Sequence, residues 1–145
     1  MAGYMTKVVG SDGIYDGSYK AGEALTNGIF VSIAADGTAK KLTAAGDIIF
    51  KVREKTTLWG LDAVVLDVQD QGAGTIYFVE QVNPGDMPEF DDINNTVKIG
   101  EFVRMHIPLA GEQLIMSVAA ATYAALAAGD LAKPASGGSI AKYTA

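Results

Sequence analysis

Short apolar runs rich in β-branched and aromatic residues recur along the chain, at residues 29–33, 48–52 and 75–79. Such runs suit the pleated, half-buried surface of a β-sheet. Between them, a glycine repeatedly stands directly before an acidic residue, which favours turns because glycine tolerates conformations that other residues avoid. The pattern predicts an all-β protein, built as an antiparallel β-sandwich or a jelly-roll-like barrel. The glycine–acid pairs are Gly22-Glu23, Gly46-Asp47, Gly85-Asp86, Gly100-Glu101, Gly111-Glu112 and Gly129-Asp130.

Two local patterns predict particular strands. Asp36-Gly37 stands between two such runs, where an Asp-Gly pair is a strong hairpin signal. Residues 101–109 alternate in character, and successive side chains of a strand point to opposite faces. We expect one face to be core and the other to meet solvent or a partner. The core set is Val103, Met105, Ile107 and Leu109, and the opposite set is Phe102, Arg104, His106 and Pro108.

Helical signals are sparse, so we expect at most one or two short helices. The best candidate covers residues 119–128, where alanine has high helix propensity and Gly129 can take the left-handed conformation that ends a helix. So short a helix is marginal without tertiary packing. The largely apolar run 62–68 fits either a strand or a helix.

An internal repeat connects the two ends of the chain. Ala-Gly-Glu-x-Leu at residues 21–25 recurs at 110–114, an offset of 89 (111 minus 22), and matches farther on have an offset of 101 (129 minus 28). The difference is an insertion that contains the alanine-rich stretch. We interpret the repeat as two related β-hairpin modules. The alternative is that glycine- and alanine-rich turns resemble each other by composition. The later matches pair Gly28, Ala34, Gly37, Lys41, Thr43 and Ala44 with Gly129, Ala135, Gly138, Lys142, Thr144 and Ala145.

The length of 145 residues is enough to bury one core, so we expect a single β domain over residues 1–145. Residues 1–9 and the Ala-, Gly- and Ser-rich residues 132–145 contain little material for a core of their own. We expect an N-terminal arm over 1–9 and a C-terminal hairpin or arm over 132–145. Terminal segments of this kind often gain order by adding a strand to another chain.

Composition removes several classes of function. The 11 basic and 17 acidic residues leave a net charge of −6, which argues against binding to nucleic-acid phosphates. The absence of cysteine excludes disulfides, thiolate metal sites and cysteine nucleophiles. We recognise no secretory signal, and no apolar run is long enough for a spanning helix. We therefore expect neither nucleic acid nor membrane among the partners.

Side chains that often carry chemistry are few. His106 is the sole histidine, and no Gly-x-Ser-x-Gly elbow supplies a nucleophile for it. The acidic segment 83–95 lacks the EF-hand spacing for calcium and contains two prolines, so a solvated or partner-facing loop is the better interpretation. Residues 72–75 (Gly-Ala-Gly-Thr) precede a predicted strand, whereas a phosphate-binding loop precedes a helix. We predict no catalytic, cofactor-binding or metal-binding residue, and no cofactor.

Residues 13–23 (Gly-Ile-Tyr-Asp-Gly-Ser-Tyr-Lys-Ala-Gly-Glu) resemble the uracil-binding hairpin of trimeric dUTPases, a jelly-roll family of about this length. In that family, phosphate- and metal-binding motifs precede the hairpin, and here only twelve residues do. The Arg-Ser-Ser type motif and the glycine-rich C-terminal arm are absent, and the spacing differs by one residue. A dUTPase-like trimeric enzyme is therefore a remote alternative.

Four segments carry a second resemblance: Asp-Gly-Ile-Tyr-Asp-Gly at 12–17, Ala-Gly-Glu-x-Leu followed by Asn-Gly-Ile-Phe-Val at 21–31, Gly-Glu-Phe-Val-Arg at 100–104, and Ala-Gly-Asp-Leu at 128–131. Together they resemble the small capsid decoration, or cement, proteins of tailed bacteriophages. The resemblance implies a non-catalytic barrel or jelly-roll unit that self-associates as a dimer or trimer. Its partner would be the major capsid protein. The protein would be made in the bacterial host cytoplasm and lie on the outer capsid surface of the virion.

A protein of this kind needs contacts to the capsid or to other copies of itself. We expect them on the N-terminal arm, around the lone tryptophan, in the acidic loop and on the polar face of residues 101–109. The expected contact residues are Tyr4, Met5, Val8, Trp59, Asp86, Glu89, Phe90, Asp91, Arg104 and His106.

A non-catalytic carbohydrate- or protein-binding β-sandwich module is the alternative. Carbohydrate-binding sandwiches usually expose several aromatic side chains on one sheet face. The only tryptophan here, Trp59, lies in Leu58-Trp59-Gly60-Leu61, which fits a core or a protein interface better.

Overall fold

The computed structural model describes residues 6–9, 15–58, 60–80 and 96–144. These ranges form strands joined largely by tight turns, with one short helix, which confirms the predicted all-β class. The strands are β1 Thr6–Val9, β2 Tyr15–Asp16, β3 Leu25–Thr26, β4 Phe30–Ile33, β5 Ala39–Lys41, β6 Ile49–Leu58, β7 Leu61–Asp70, β8 Ile76–Val79, β9 Thr96–Val97, β10 Met105–His106, β11 Gln113–Ser117, β12 Leu131–Pro134 and β13 Ile140–Tyr143, and helix α1 is Ala120–Ala125.

Two antiparallel sheets make up most of the described structure. The six-stranded sheet has the order β1-β11-β7-β6-β12-β13, and the five-stranded sheet has the order β2-β10-β8-β4-β5. β3 and β9 form a separate two-stranded ribbon. Buried side chains from both large sheets meet in one apolar cluster, so the architecture is an antiparallel β-sandwich.

Three fully buried phenylalanines mark the centre of this cluster. Phe30 and Phe78 come from the five-stranded sheet, and Phe50 comes from the six-stranded sheet. The centroid of the Phe30 ring lies 5.4 Å from that of Phe50 and 5.0 Å from that of Phe78, in tilted arrangements. Tilted aromatic pairs stabilise by more than the area they bury. The Phe30 ring therefore helps to hold the two sheets together.

A second apolar cluster lies between the five-stranded sheet and the β3–β9 ribbon. It includes Leu25 and Val97 of the ribbon with Val103 and Met105. The predicted burial of Val103 and Met105 is confirmed. The alternation does not extend through the whole predicted face, because strand β10 contains only two residues. Ile107 and Leu109 are accordingly only half-buried, and Pro108 is buried.

The Asp36-Gly37 hairpin is confirmed between β4 and β5. The amide of Ala34 donates to the Thr38 carbonyl at 2.8 Å, and the amide of Gly37 donates back to the Ala34 carbonyl at 2.9 Å. Gly37 adopts φ 83°, a conformation that glycine takes without steric cost. The Asp36 carboxylate accepts the hydroxyl and the amide of Thr38, and these hydrogen bonds hold the pKa of Asp36 below its usual value.

The hairpin of β12 and β13 repeats the first hairpin 101 positions later. Its turn has the same bonds, from the amide of Ala135 to the Ser139 carbonyl at 2.9 Å and from the amide of Gly138 to the Ala135 carbonyl at 3.0 Å. The cross-strand register is also identical at this offset. The pairs Val31–Lys41, Ser32–Lys40 and Ile33–Ala39 correspond to Ala132–Lys142, Lys133–Ala141 and Pro134–Ile140.

Each hairpin also pairs with an equivalent third strand. Val31 lies opposite Tyr77 of β8, and its counterpart Ala132 lies opposite Phe50 of β6. The spatial arrangements β8-β4-β5 and β6-β12-β13 are therefore alike, but β8 follows its hairpin in the chain whereas β6 precedes its hairpin, so the repeated unit is the two-strand hairpin alone. The matched segments 21–25 and 110–114 pair differently, because residue 21 bridges β5 whereas β11 lies between β1 and β7.

The helix is shorter than the predicted 119–128. It ends at Leu126, whose backbone is extended (φ −99°, ψ 142°) and whose side chain is buried in the main apolar cluster. Because Leu126 is buried in an extended conformation, the helix stops before it and does not continue through the following alanines. Gly129 does have a positive φ of 91°, but it belongs to a turn in which the amide of Asp130 donates to the Ala127 carbonyl. The ambiguous run 62–68 lies within strand β7.

The chain's terminal strands lie on opposite edges of the six-stranded sheet. β1 pairs with β11 of its own chain, with Val8 opposite Leu114. Contact of the N-terminal arm with a neighbouring subunit stays a prediction, because residues 1–5 lie outside the described residues and β1 pairs on one side only within them. The C-terminal residues form the hairpin just described, and β13 ends the sheet on the other side.

Replacing Met105 tests the phase of the strand at β10. Met105 is fully buried, so Met105→Asp places an unpaired charge in the core and should lower the free energy of unfolding by more than about 3 kcal/mol. Phe102→Asp is the control, since Phe102 is 57% exposed, and should cost less than about 1 kcal/mol. Equal losses in urea unfolding would contradict the assignment of faces.

Candidate functional site

Most of the predicted contact residues lie outside the described residues. Val8 is placed in β1, and Arg104 and His106 have described side chains. The acidic segment 83–95 considered for calcium lies wholly in the undescribed range 81–95. The predicted contact residues outside the described ranges are Tyr4, Met5, Trp59, Asp86, Glu89, Phe90 and Asp91.

Arg104 lies at the edge of the second apolar cluster and is half-buried. Its Nη1 donates to the backbone carbonyl of Glu80 at 2.9 Å and to the Glu80 carboxylate Oε1 at 3.1 Å. These bonds tie the segment before β10 to the end of β8. Part of the guanidinium side chain remains exposed, so Arg104 can still meet a partner while it is held by its own chain.

The prediction that His106 meets solvent or a partner is wrong. His106 is fully buried, and its Nε2 lies 2.9 Å from Oε1 of Glu112, which is 3% exposed. The same Oε1 accepts the amide of Leu109 at 2.7 Å. The turn between β10 and β11 folds back over the strand and covers the face that alternation assigns to solvent. His106 therefore helps to hold this turn.

The turn at residues 98–101 has the same glutamate–amide bond as the turn at residues 109–112, so a comparison of the two shows how burial of Glu112 affects stability. In both the 98–101 turn and the 109–112 turn, the glutamate Oε1 accepts the amide three residues earlier at 2.7 Å. The preceding glycines, Gly100 and Gly111, have φ values of 87° and 94°. The turns differ in exposure, because Glu101 is exposed and Glu112 is buried.

We predict that Glu112→Ala lowers the free energy of unfolding. The substitution removes the carboxylate that contacts the Leu109 amide and His106 Nε2, and each of these two losses should contribute about 1–3 kcal/mol. Glu101→Ala removes the same turn bond in water and should cost below about 0.5 kcal/mol. Chemical denaturation of both variants measures the difference. Similar losses of unfolding free energy in the two variants would show that burial of the His106–Glu112 pair does not add to the stability of the protein.

Two large apolar side chains are exposed on the 98–102 turn. Ile99 is 72% and Phe102 57% exposed, and the Lys20 ammonium lies 5.3 Å from the centre of the Phe102 ring. The alternation of residues 101–109 had assigned Phe102 to an exposed face, and this is confirmed. Ile99 was missed, although its position before Gly100 in a turn is a usable signal. Exposed apolar side chains of this size are common at contact surfaces.

A shallow depression of about 430 Å³ lies on the five-stranded sheet. Its aromatic side chains are Tyr19 and Tyr77, both half-buried. Burial raises the pKa of the Tyr77 hydroxyl, and the charges of Tyr19 and Asp16 raise it further. The sequence pattern does not indicate this pair, because the sheet brings together residues that are distant in the chain. The remaining lining residues are Ser32, Ile33, Gly74 and Thr75.

A narrower cavity of about 220 Å³ lies between the end of β11, the start of α1 and the turn of the second hairpin. Ser117, which is 3% exposed, lines it, and its hydroxyl has no hydrogen-bond partner within the described part of the chain. Thr122 and Ser139 also line this cavity. The cavity is therefore mostly apolar with a few hydroxyl groups.

The dUTPase resemblance has no matching hairpin in the described chain. Tyr15–Asp16 pairs with β10, and the Asp16 carboxylate accepts the amide and hydroxyl of Ser18. Among residues 6–9, 15–58, 60–80 and 96–144, no three His, Cys, Asp or Glu side chains are grouped as metal ligands would be. No helix in these ranges is long and apolar enough to span a membrane.

Comparison with protein families, curated proteins and solved structures found no match for this chain.

Proposed function

We propose that this protein is a structural component of a phage virion that binds the outer capsid surface and stabilises the lattice by bridging major capsid protein subunits. The observation that carries the proposal is the placement of the terminal strands. β1 and β13 occupy the two opposite edges of one six-stranded sheet. A protein that bridges subunits needs attachment points on separate sides of a stiff body.

The spacing of these edges suits a bridge. Four strands separate β1 from β13, and neighbouring strands lie about 4.8 Å apart, so the edges are roughly 24 Å apart across the sheet. Each edge strand pairs on one side only within the described chain. Edge strands present backbone groups that can pair with another polypeptide.

The body between the edges has the stiffness that the role requires. Its central cluster joins both sheets through the rings of Phe30, Phe50 and Phe78. Long pairings of β6 with β7 and of β7 with β11 run through the middle of the sheet. A rigid bridge loses little conformational entropy when it binds, so more of the contact energy contributes to affinity.

Self-association as a dimer or trimer is part of the proposal, because repetition of weak contacts raises the total affinity. Exposed Ile99 and Phe102 offer apolar contact area. Several edges on one oligomer act together, and effective concentration then raises avidity by about 10²–10⁴. The role requires no catalytic step and no cofactor.

Deleting residues 1–9 tests the proposal. The deletion removes an edge strand that pairs with β11 alone, so the body should stay folded while affinity for capsids falls at least about 100-fold. Co-sedimentation with empty capsids assembled from the major capsid proteins of tailed phages measures the binding. Circular dichroism checks the fold, and a deletion of residues 1–5 leaves β1 intact as the milder variant.

Retained binding by the folded 1–9 deletion would show that the N-terminal edge is not an attachment point. Absence of binding by the full-length protein to those capsids would overturn the proposal itself.

Saccharide binding is a second candidate, favoured by the depression that contains Tyr19 and Tyr77. Two tyrosine rings flanked by the hydroxyls of Ser32 and Thr75 offer both apolar surface and hydrogen-bonding groups, as sugar-binding sites do.

For this candidate we expect Tyr77→Ala to abolish retention on polysaccharide resins, whereas Tyr143→Ala should not change it. Tyr143 is also half-buried but lies on the other sheet beside Lys133, which makes it a matched control. Affinity electrophoresis on a panel of polysaccharides measures retention. No retention of the unmodified protein, or equal retention of both variants, would remove the candidate.

A further inference from the structure

The two repeated hairpins differ at their outer edges, and the first of these edges is covered. Residues 20–23 lie along β5, where the Lys20 carbonyl accepts the amide of Ala39 at 2.9 Å and the Gly22 amide donates to the Ala39 carbonyl at 2.9 Å. The Glu23 carboxylate accepts the amide of Lys41 at 3.0 Å. We call residues 20–23 the edge cover. It runs parallel to β5 and satisfies the outward N–H groups of this strand.

The equivalent backbone groups of β13 also point outward. Ala135 and Ser139 form a hydrogen-bonded pair at the turn, and bonded pairs alternate along an antiparallel ladder. Lys133–Ala141 is therefore a bonded pair, whereas Pro134–Ile140 and Ala132–Lys142 are not. Pro134 has no N–H to donate, and its carbonyl accepts the amide of Gly46 on the far side, which agrees with this assignment. Ile140 and Lys142 thus turn their amides and carbonyls away from β12.

No described residue hydrogen-bonds to these outward groups of Ile140 and Lys142, whereas their counterparts Ala39 and Lys41 are covered. Lys142 contributes its side chain to an ion pair with Asp130 at 3.6 Å, which leaves its backbone available. β13 therefore matches β5 in the hairpin repeat, but no described segment covers it as residues 20–23 cover β5.

The second edge has more room than the first. A side chain at Gly22 would collide with Thr38 and would lie 2.7 Å from the Lys40 side chain. The counterparts of these residues in the second hairpin are the smaller Ser139 and Ala141. At these two positions an incoming strand would therefore meet smaller side chains along β13 than the edge cover meets along β5.

The cavity at the start of β13 supplies further polar and apolar groups. Ser139, directly before Ile140, lines it together with Ser117, whose buried hydroxyl has no partner within the described ranges. Buried polar groups are normally hydrogen-bonded, so an unpartnered hydroxyl at this place points to a group that is supplied from outside.

The chain's other Ala-Gly-Glu segment does not supply this cover within the same molecule. The amide of Gly111 donates to the Val68 carbonyl at 2.9 Å, and Glu112 is buried against His106. Residues 110–112 are thus already held beside β7. Within the described ranges, this segment therefore leaves the β13 edge uncovered.

We propose that the outer edge of β13 is a docking site for an extended segment of a partner polypeptide, which adds as a parallel strand. The segment has the chemistry of the edge cover: a small residue opposite Ile140, then glycine or another small residue whose amide meets the Ile140 carbonyl, then an acidic residue that accepts the amide of Lys142. The inference does not depend on the proposed capsid function, because the partner is defined by this chemistry alone.

Amide hydrogen exchange of the full-length protein tests whether the edge is open. The Ile140 and Lys142 amides should exchange at least about tenfold faster than the Ala39 and Lys41 amides, because only the latter are hydrogen-bonded. Equal protection of both edges would overturn the proposal. Protection of β13 that rises with protein concentration would also overturn it, since a second copy would then be the occupant.

A peptide with the sequence of residues 18–25 serves as the probe, because this segment covers the equivalent edge. At millimolar concentration it should shift the amide resonances of residues 140–142 and slow their exchange. The same peptide with Gly22→Pro lacks the amide that meets the carbonyl and is the matched control.

Lys142→Pro in the protein removes the outward backbone amide that would bind the acidic residue of the peptide, and it breaks no hydrogen bond to β12. This substitution should therefore abolish the peptide-induced resonance shifts. Shifts elsewhere, or equal binding of the proline peptide, would overturn the docking site without bearing on capsid binding.

Discussion

A direct backbone contact between the two hairpin repeats holds the sandwich together. The amide of Phe30, at the start of β4, donates to the Gly138 carbonyl at 2.7 Å, and the amide of Gly137 donates to the Leu42 carbonyl at 2.7 Å. A Cβ at residue 138 would lie 2.8 Å from the Phe30 carbonyl, and its φ of 88° also favours glycine. The turn between β12 and β13 is thereby locked to the β4–β5 hairpin of the other sheet. This contact places the Phe30 ring where it meets Phe50.

Local features of the fold could be predicted from the sequence because neighbouring residues determine them. Asp36-Gly37 specifies its own turn, and β-branched runs specify strands whatever they pair with. The internal repeat also predicted a tertiary feature. Because the offset of 101 is constant over the second hairpin, both hairpins are expected to have the same strand register, as they do. The length of the helix was overestimated because helix propensity describes the alanines alone. It does not include the burial of Leu126 in the main apolar cluster, where the backbone is extended.

Features of the candidate site depend on pairings between distant residues, and these could not be predicted. His106 lies in a strand whose outer face is covered by Glu112, and alternation within a strand carries no information on such a cover. Tyr19 and Tyr77 line one depression because sheet order brings their segments together. The open edge of β13 is visible only by comparison with β5, whose cover comes from residues that precede both hairpin strands.

The two matched hairpins differ at their outer edges, one of which is closed while the other is open. Both hairpins have the same turn bonds and the same cross-strand register, and each pairs with one further strand of its sheet. Exposed edges favour aggregation, and natural sheets limit this with short strands and lysines. β13 is only four residues long and carries Lys142, whose charge is held by Asp130. These features restrain indiscriminate pairing along its length but leave the outward amides of Ile140 and Lys142 available, so a partner has to match the edge with its own backbone and an acidic group.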